Sequence, residues 1–153
     1  MTLAFENHNH DKCRHSSLQC VEDICQEKSL KLTPMRKRVL EMLLANHQAM
    51  GAYELLGLLT KEGEAAQPPI VYRALAFLTE NGFAHKIEKL NAYIACHFPE
   101  RAHSPGFLIC KKCAQVGECC IEKSPFQNSD FQIDQEVMEA EGTCGKCVEK
   151  QNK

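Results

Sequence analysis

The stretch Pro68-Pro-Ile-Val-Tyr-Arg-Ala-Leu-Ala-Phe-Leu-Thr-Glu-Asn-Gly82 decides the fold, together with the two short segments that follow it. Prolines at its start and Asn81-Gly82 at its end are typical helix boundaries. Its apolar residues recur at the spacing of one helix face, at Val71, Ala74, Leu75 and Leu78. Phe83 to Glu88 and Ala92 to Cys96 then alternate around a short turn, which predicts a β-hairpin.

Further helices are predicted upstream of this unit. Met1 to Ser16 is a polar stretch that we expect to be a flexible lead-in, and Ser17 to Lys28 has a helical apolar pattern. Thr33-Pro34 predicts a capped helix start, with the helix running from Pro34 to about Asn46. Another helix begins at Gly51, with its apolar stripe at Leu55, Leu56 and Leu59. The last three helices and the hairpin follow the order of a winged helix.

A winged helix places its third helix in the DNA major groove. In that arrangement Arg73 can reach a guanine edge, and Tyr72 can contact a phosphate or a thymine methyl. Small helical domains also expose such residues without binding DNA, so the pattern leaves both interpretations open. Five cations lie close together and form either a phosphate-binding patch or a solvated helix face: Lys28, Lys31, Arg36, Lys37 and Arg38.

The second half of the chain carries two CxxC pairs, Cys110-Lys-Lys-Cys113 and Cys144-Gly-Lys-Cys147. Each pair places two thiolates on one tight turn, and four thiolates form a closed tetrahedral site that suits a structural zinc ion. A pair of redox dithiols is the alternative interpretation. Strands between the pairs and just before them are predicted at Gly106 to Ile109, Gln115 to Cys119 and Phe131 to Ala140.

A second set of candidate ligands surrounds the junction of the two halves: His85, Cys96, His103 and Glu118. Two imidazoles, a thiolate and a carboxylate satisfy tetrahedral zinc, and the thiolate disfavours harder ions such as manganese. Because ligands come from both halves, filling this site would fix the angle between them. Taken singly, each histidine is more often an exposed or hydrogen-bonded side chain than a metal ligand.

Composition excludes several classes of protein. The chain has 153 residues, 18 basic and 20 acidic, with a net charge of −2, which is typical of one globular domain or two small ones. It has no apolar run long enough to cross a bilayer and no apolar leader at its N-terminus. Ten cysteines in such a chain are more often metal ligands than disulfides. We therefore expect a cytoplasmic metalloprotein that is not a membrane protein.

Several motifs together resemble the ferric uptake regulator (Fur) superfamily, and most closely its zinc uptake regulator (Zur) branch. The resemblance covers roughly residues 17–148. The iron-sensing branch has an HHxH run before the first CxxC, whereas here only His103 stands there and Cys96-His97 precedes it. The motifs are Leu32-Thr-Pro-Met-Arg36, Ala52-Tyr-Glu-Leu-Leu56, Pro68-Pro-Ile-Val-Tyr-Arg-Ala-Leu75, Gly82-Phe-Ala-His-Lys86, Asn91-Ala-Tyr-Ile-Ala-Cys-His97 and Phe107-Leu-Ile-Cys-Lys-Lys-Cys113.

The resemblance implies an α+β fold, with a flexible lead-in at 1–16, a winged-helix DNA-binding domain at 17–95 and a small α/β dimerisation and metal-binding domain at 96–153. It implies structural zinc at the four CxxC cysteines and regulatory zinc at His85, Cys96, His103 and Glu118, so two zinc ions per chain. It implies DNA contacts by Tyr53 and Arg73, to which Tyr72 is added from its position. The expected function is a homodimeric, zinc-responsive repressor of zinc-uptake genes that binds an inverted-repeat operator.

The chain departs from that family in places. Ile70 replaces the usual Ser or Thr before Val-Tyr-Arg, and the 119–143 segment is short and contains Pro125, so its helix is expected to be reduced to a turn around 123–128. A further metal-binding pattern occurs in the N-terminal stretch, at His8, His10, Cys13 and His15, although a flexible tail lacks preorganisation.

Three other functions remain open from the sequence. One is an iron-, manganese- or peroxide-responsive regulator of the same fold, and another is a zinc-containing thiol redox switch. The third, a zinc enzyme, is disfavoured because the chain has neither HExxH nor HxE followed by PCxxC, and its candidate sites have full ligand sets. We therefore expect no enzymatic activity and no small-molecule substrate.

Overall fold

The computed structural model describes residues 5, 9–45, 47–127 and 130–151, and confirms a mixed helix and sheet fold. No helix among these residues is both long and apolar enough to cross a bilayer. In chain order the elements are α1 His10–Glu27, α2 Pro34–Leu44, α3 Ala52–Lys61, α4 Pro68–Glu80, β1 Ala84–Ile87, β2 Ala92–Ala95, β3 Ser104–Cys110, β4 Val116–Ile121, β5 Glu139–Gly142 and α5 Gly145–Gln151.

The helix boundaries follow from local capping. The Thr33 hydroxyl accepts the Arg36 N–H at 3.4 Å, so α2 begins at Pro34 as predicted. The prediction of a flexible lead-in is wrong for residues 10–16, because α1 begins at His10 and not at Ser17. The side chain of Asn9 caps it by accepting the Lys12 N–H at 3.0 Å. The lead-in residues 1–4 and 6–8 lie outside the described residues.

The first hydrophobic core lies among the four N-terminal helices. The predicted stripes of α2, α3 and α4 meet there, and the cluster is completed by Val21 and Cys25 of α1. Its most deeply buried side chains have no solvent exposure: Val39, Leu55, Leu59, Val71 and Leu78. This core fixes the exposed face of α4, because the helix can bury only one stripe.

The β1–β2 hairpin has two buried faces. Ala84 and Ala95 pair across the strands and pack on the helical core. Successive side chains of a strand point to opposite faces, so Ile87 and Ile94 project away from the helices and join a second core. His85 shares that second face. Asn91, with φ of 45°, closes the connection in the left-handed region.

A three-stranded sheet of order β4-β3-β5 covers the second face of the hairpin. β3 pairs antiparallel with β4 and parallel with β5, with Phe107 opposite Glu118. A Cβ at Gly106 would lie 2.8 Å from Ile121 Cδ1, so a larger residue there would require the Ile121 side chain to shift. The second core consists of Ile87, Ile94, Phe107, Ile109 and Val116.

The segment between β4 and β5 differs from the prediction of a long strand. Only Glu139 and Ala140 of the predicted Phe131 to Ala140 lie in β5. The remaining edge of β3 is occupied by residues 139–142, and the Met138 carbonyl just before them accepts the Phe107 N–H at 2.9 Å. No helix forms in the described residues 122–127 and 130–138 either.

The second core predicts that the hairpin and the sheet stabilise each other. Ile94 is 1% exposed between them, whereas Leu90 at the tip of the same hairpin is 42% exposed. We expect Ile94→Ala to lower the free energy of unfolding by about 2–5 kcal/mol, because it opens a cavity in this core. Leu90→Ala should change it by less than about 0.5 kcal/mol. Urea unfolding of the zinc-saturated proteins measures both, and equal losses would contradict the packing described.

Candidate metal centres and nucleic-acid interface

The four CxxC cysteines converge at one end of the sheet. Cys110 ends β3, and its parallel pairing with Gly142 carries the chain on to Cys144 beside it. The Cys144 N–H donates to the Cys110 sulfur at 3.3 Å. Cys113 follows a tight turn after β3, and Cys147 lies in α5. All four sulfur atoms lie within 4.8 Å of one another.

The local electrostatics of this cluster favour a bound cation. Backbone N–H groups of Cys113 and Cys144 point at the Cys110 sulfur and lower the pKa of that thiol to about 6. Hydrogen bonding to Cys144 and burial raise the pKa of Cys147 to about 12, and the negative charge of Cys110 adds to the shift. All ten cysteines of the chain are free thiols. Four convergent sulfurs without an open position fit a structural tetrahedral zinc ion.

The second cluster forms where the hairpin meets the sheet. His85 comes from β1, Cys96 follows β2, His103 precedes β3 and Glu118 lies in β4. Their donor atoms all lie within 4.8 Å of one another. Glu118 Oε1 lies 2.6 Å from His103 Nε2, 3.1 Å from His85 Nε2 and 3.6 Å from the Cys96 sulfur. We call this four-residue cluster the hinge site.

Backbone contacts orient the ligands of the hinge site. The N–H of His97 donates to Glu118 Oε2 at 2.8 Å, and that of Phe98 to the Cys96 sulfur at 3.3 Å. His103 Nδ1 lies 2.8 Å from the Arg101 carbonyl, so Nδ1–H is assigned as the donor and Nε2 faces the cluster. A histidine ligand that donates its other nitrogen to a carbonyl is the usual arrangement in protein metal sites.

The carboxylate of Glu118 is the charge that the hinge site must stabilise. The side chain has no solvent exposure. Burial alone raises the pKa of this carboxyl, but hydrogen bonds and charge from His85, with the His97 N–H and His103, outweigh it and lower the pKa to about 2. Burial and the neighbouring carboxylate raise the pKa of the Cys96 thiol. Two imidazoles, a thiol and a buried carboxylate fit zinc by the chemistry of the donor set.

The predicted DNA-contact residues lie on exposed surfaces. Tyr72 is 46% exposed on α4 beside the exposed Arg73, and Tyr53 is 69% exposed at the start of α3. The five-cation cluster before and within α2 includes residues that form ion pairs within the protein. Lys37 pairs with Glu22, and Arg38 pairs with Glu41 and Glu62.

The remaining arginine of that cluster is also engaged within the protein. The Arg36 guanidinium stacks 3.9 Å from the centre of the Phe77 ring and donates to the Lys31 carbonyl at 2.6 Å. Three of the five cations are therefore held in contacts within the protein, whereas Lys28 and Lys31 are exposed.

Sequence reasoning missed Glu139. Its carboxylate accepts the N–H groups of Glu88 at 2.6 Å and of Lys89 at 3.0 Å, so β5 holds the tip of the hairpin. Lys89 Nζ adds an ion pair with Glu141 at 3.3 Å. A lone glutamate carries no local pattern that indicates a contact with residues about fifty positions away.

Known proteins resemble the chain in both sequence and structure. The sequence model of the Ferric uptake regulator family matches residues 27–141. The Zinc uptake regulation protein of Escherichia coli (strain K12) is 40% identical over 135 residues, covering 84% of this chain and 79% of that protein. A zinc uptake regulator complexed with zinc and DNA superposes with a TM-score of 0.82 at 36% identity, covering 92% of this chain and 98% of that chain.

XcZur has been solved in two states. Holo XcZur superposes with a TM-score of 0.76 at 37% identity, covering 88% of this chain and 98% of that chain. Apo XcZur superposes with a TM-score of only 0.53 at 36% identity, covering 90% of this chain and 99% of that chain. Since identity is almost the same in the two comparisons, the difference lies in shape.

The four-cysteine cluster predicts a zinc ion that supports the fold. Cys110→Ser should remove one zinc per chain and lower the melting temperature, because a structural zinc contributes its binding free energy to folding. Cys120→Ser is the matched control, since Cys120 lies in the neighbouring strand and is exposed. Zinc content by elemental analysis and a thermal melt test both proteins. A Cys110→Ser protein with full zinc content and an unchanged melt would contradict the assignment.

Proposed function

This chain belongs to the ferric uptake regulator family, and on that premise we propose that it is a zinc-responsive transcriptional repressor controlled through the hinge site. One observation carries this function. The four convergent donor groups of the hinge site come from β1, from the chain after β2, from the loop before β3 and from β4. The site thus joins the DNA-binding hairpin to the sheet. Relatives named as zinc uptake regulators, one of them complexed with zinc and DNA, support the same function.

The donor set favours zinc over the other metals that this family is expected to sense. A thiolate and two imidazoles prefer a borderline-soft ion, whereas manganese prefers oxygen ligands. The four-cysteine cluster would hold a second, structural zinc, which gives two ions per chain. A closed set of four thiolates has no open position for chemistry, so we propose no enzymatic activity and no small-molecule substrate.

Regulation follows from what the residues do at the hinge. When bound, zinc supplies bonds to four side chains and neutralises the buried Glu118 charge. His85 would then tie the hairpin to the sheet, and Cys96 would tie the linker, which is the chain between β2 and β3. The His97 N–H keeps the Glu118 carboxylate in place. The better match to holo than to apo XcZur supports this closed arrangement as the metal-bound one. A 10- to 100-fold change in DNA affinity requires about 1.4–2.8 kcal/mol of coupling.

We propose that two copies of the chain act together on DNA. Residues 17–95, with α1 extended to His10, would form the DNA-binding domain, and residues 96–153 the dimerisation and metal-binding domain. An exposed apolar surface in the second region would be covered by the second copy: Phe126, Phe131, Ile133 and Val137. Two winged helices related by two-fold symmetry would read an inverted-repeat operator, blocking zinc-uptake genes in the cytoplasm.

The hinge site predicts the loss of zinc-dependent DNA binding in Cys96→Ser. A serine hydroxyl is a poor zinc ligand, so this protein should keep the structural zinc, lose the second one and bind operator equally with or without added zinc. Cys120→Ser should behave as wild type. Gel-shift titrations at fixed salt, with operator selected from random DNA, measure the effect. If Cys96→Ser still gains operator affinity on adding zinc, the hinge assignment fails.

Exposed Arg73 on α4 predicts a specific base contact. Arg73→Ala should lower operator affinity about 5- to 150-fold, equivalent to about 1–3 kcal/mol, with zinc content unchanged. Arg101→Ala removes the same charge from an exposed loop outside α4 and should have little effect. Affinity for operator and for random DNA at one salt concentration separates the two. Equal losses on both DNAs would indicate only an electrostatic contribution.

A further inference from the structure

A second group of histidines lies next to the hinge site. His10 comes from the first turn of α1, His47 from the chain between α2 and α3, and His97 from the chain after β2. The ring centres of His10 and His47 are 4.7 Å apart, and those of His47 and His97 are 5.3 Å apart. Cys13, one helical turn after His10, lines the same small cavity of about 10 Å³. That volume is about the space of one water molecule.

We propose that His10, Cys13, His47 and His97 form a third metal site that takes Zn²⁺. Three imidazoles and a thiolate are a zinc donor set, and they come from three separate segments that the fold brings together. This set differs from the tail pattern that the sequence indicates. His15 lines another cavity, near Arg38 and Glu62, and His8 lies outside the described residues.

The ring arrangement matches that of the hinge site. His47 and His97 lie edge to face, with ring planes at 87°, as do His85 and His103 of the hinge site, whose ring centres are 5.7 Å apart. His10 Nε2 lies 2.8 Å from the Ala45 carbonyl. With Nε2–H assigned as donor, a backbone carbonyl orients this ring, as is usual for a metal-bound histidine.

Backbone contacts fix the chain at two of the histidines. The His47 carbonyl accepts the Val116 N–H at 2.7 Å, and the His97 N–H donates to Glu118 at 2.8 Å. In the described part of the chain, only the first two clusters bring all their donor atoms within 4.8 Å of one another. The side chains of the third cluster must therefore rotate to coordinate. Arg14 also lines the cavity and opposes a cation. Both features make this site weaker than the other two.

Occupancy of this site would connect α1 to the hinge. His97 follows Cys96 directly and holds Glu118 through its backbone, so a cation bound by His10 and His97 would tie the N-terminal helix to the ligands of the hinge site. Because the third site is weaker, it would fill at higher free zinc than the hinge site does. The chain would then respond to zinc in two successive ranges.

Equilibrium dialysis of the full chain against rising free Zn²⁺ tests the proposal. Wild type should bind two zinc ions first and a third at higher free zinc. His47→Gln should stop at two, and the matched control His15→Gln should reach three. If His47→Gln also loses one of the first two zinc ions, His10→Gln, in α1, is the second test. That variant should lose only the third zinc ion. Saturation of wild type at two ions, or a third ion that survives in His10→Gln, would overturn the site.

Cobalt reports on the thiolate separately. Co²⁺ added to the two-zinc protein should give a thiolate-to-cobalt charge-transfer band, which Cys13→Ser should abolish while weakening cobalt binding at least tenfold. Cys20→Ser, about two helical turns further along α1, should leave the band and the cobalt affinity unchanged. A band of equal intensity in Cys13→Ser would exclude Cys13 from the site.

Discussion

The carboxylate of Glu118 is the charge around which the two parts of the molecule are arranged. Removing an ion from water carries a penalty of several kcal/mol unless partners replace the solvent. Here the partners are two imidazoles and the His97 N–H, and they come from the hairpin, the linker and the loop before β3. Separating the hairpin from the sheet would leave this charge with fewer partners. In the proposed mechanism a zinc ion shared with Cys96 would complete the same arrangement, which would couple the position of the hairpin to zinc.

The hairpin transmits this constraint because both of its faces are buried. One face of the hairpin packs on the helical core, which includes α4, and the other face packs on Phe107, Ile109 and Val116 of the sheet. Glu139 adds a tie at the hairpin tip that needs no metal. In the proposed mechanism the hinge site would therefore not act alone. It would select among positions of a hairpin that apolar packing already brings near the sheet, so that a modest coupling energy could control DNA affinity.

The sequence predicts the parts of this structure that depend on local patterns. The α4 stripe, the Thr33 cap and the hairpin all follow from residues within a few positions of one another, and the spacing of the two CxxC pairs identifies the four cysteines that converge. The features that it does not predict depend on contacts between distant residues. The His10 start of α1 depends on a single Asn9 cap in a polar stretch, and the predicted strand at Phe131 fails because β3 pairs with residues 139–142 instead. Glu139 and the His10–His47–His97 group have no local periodicity at all.

Small-angle X-ray scattering of the protein with one and with two zinc ions per chain tests the hinge mechanism most directly. The one-zinc form is prepared by mild chelation that empties the hinge site and leaves the four-cysteine site filled. The account predicts that the second zinc reduces the radius of gyration and the maximum dimension of wild type, and that neither changes when zinc is added back to Cys96→Ser. Superimposable scattering curves for the one-zinc and two-zinc forms of wild type would contradict it.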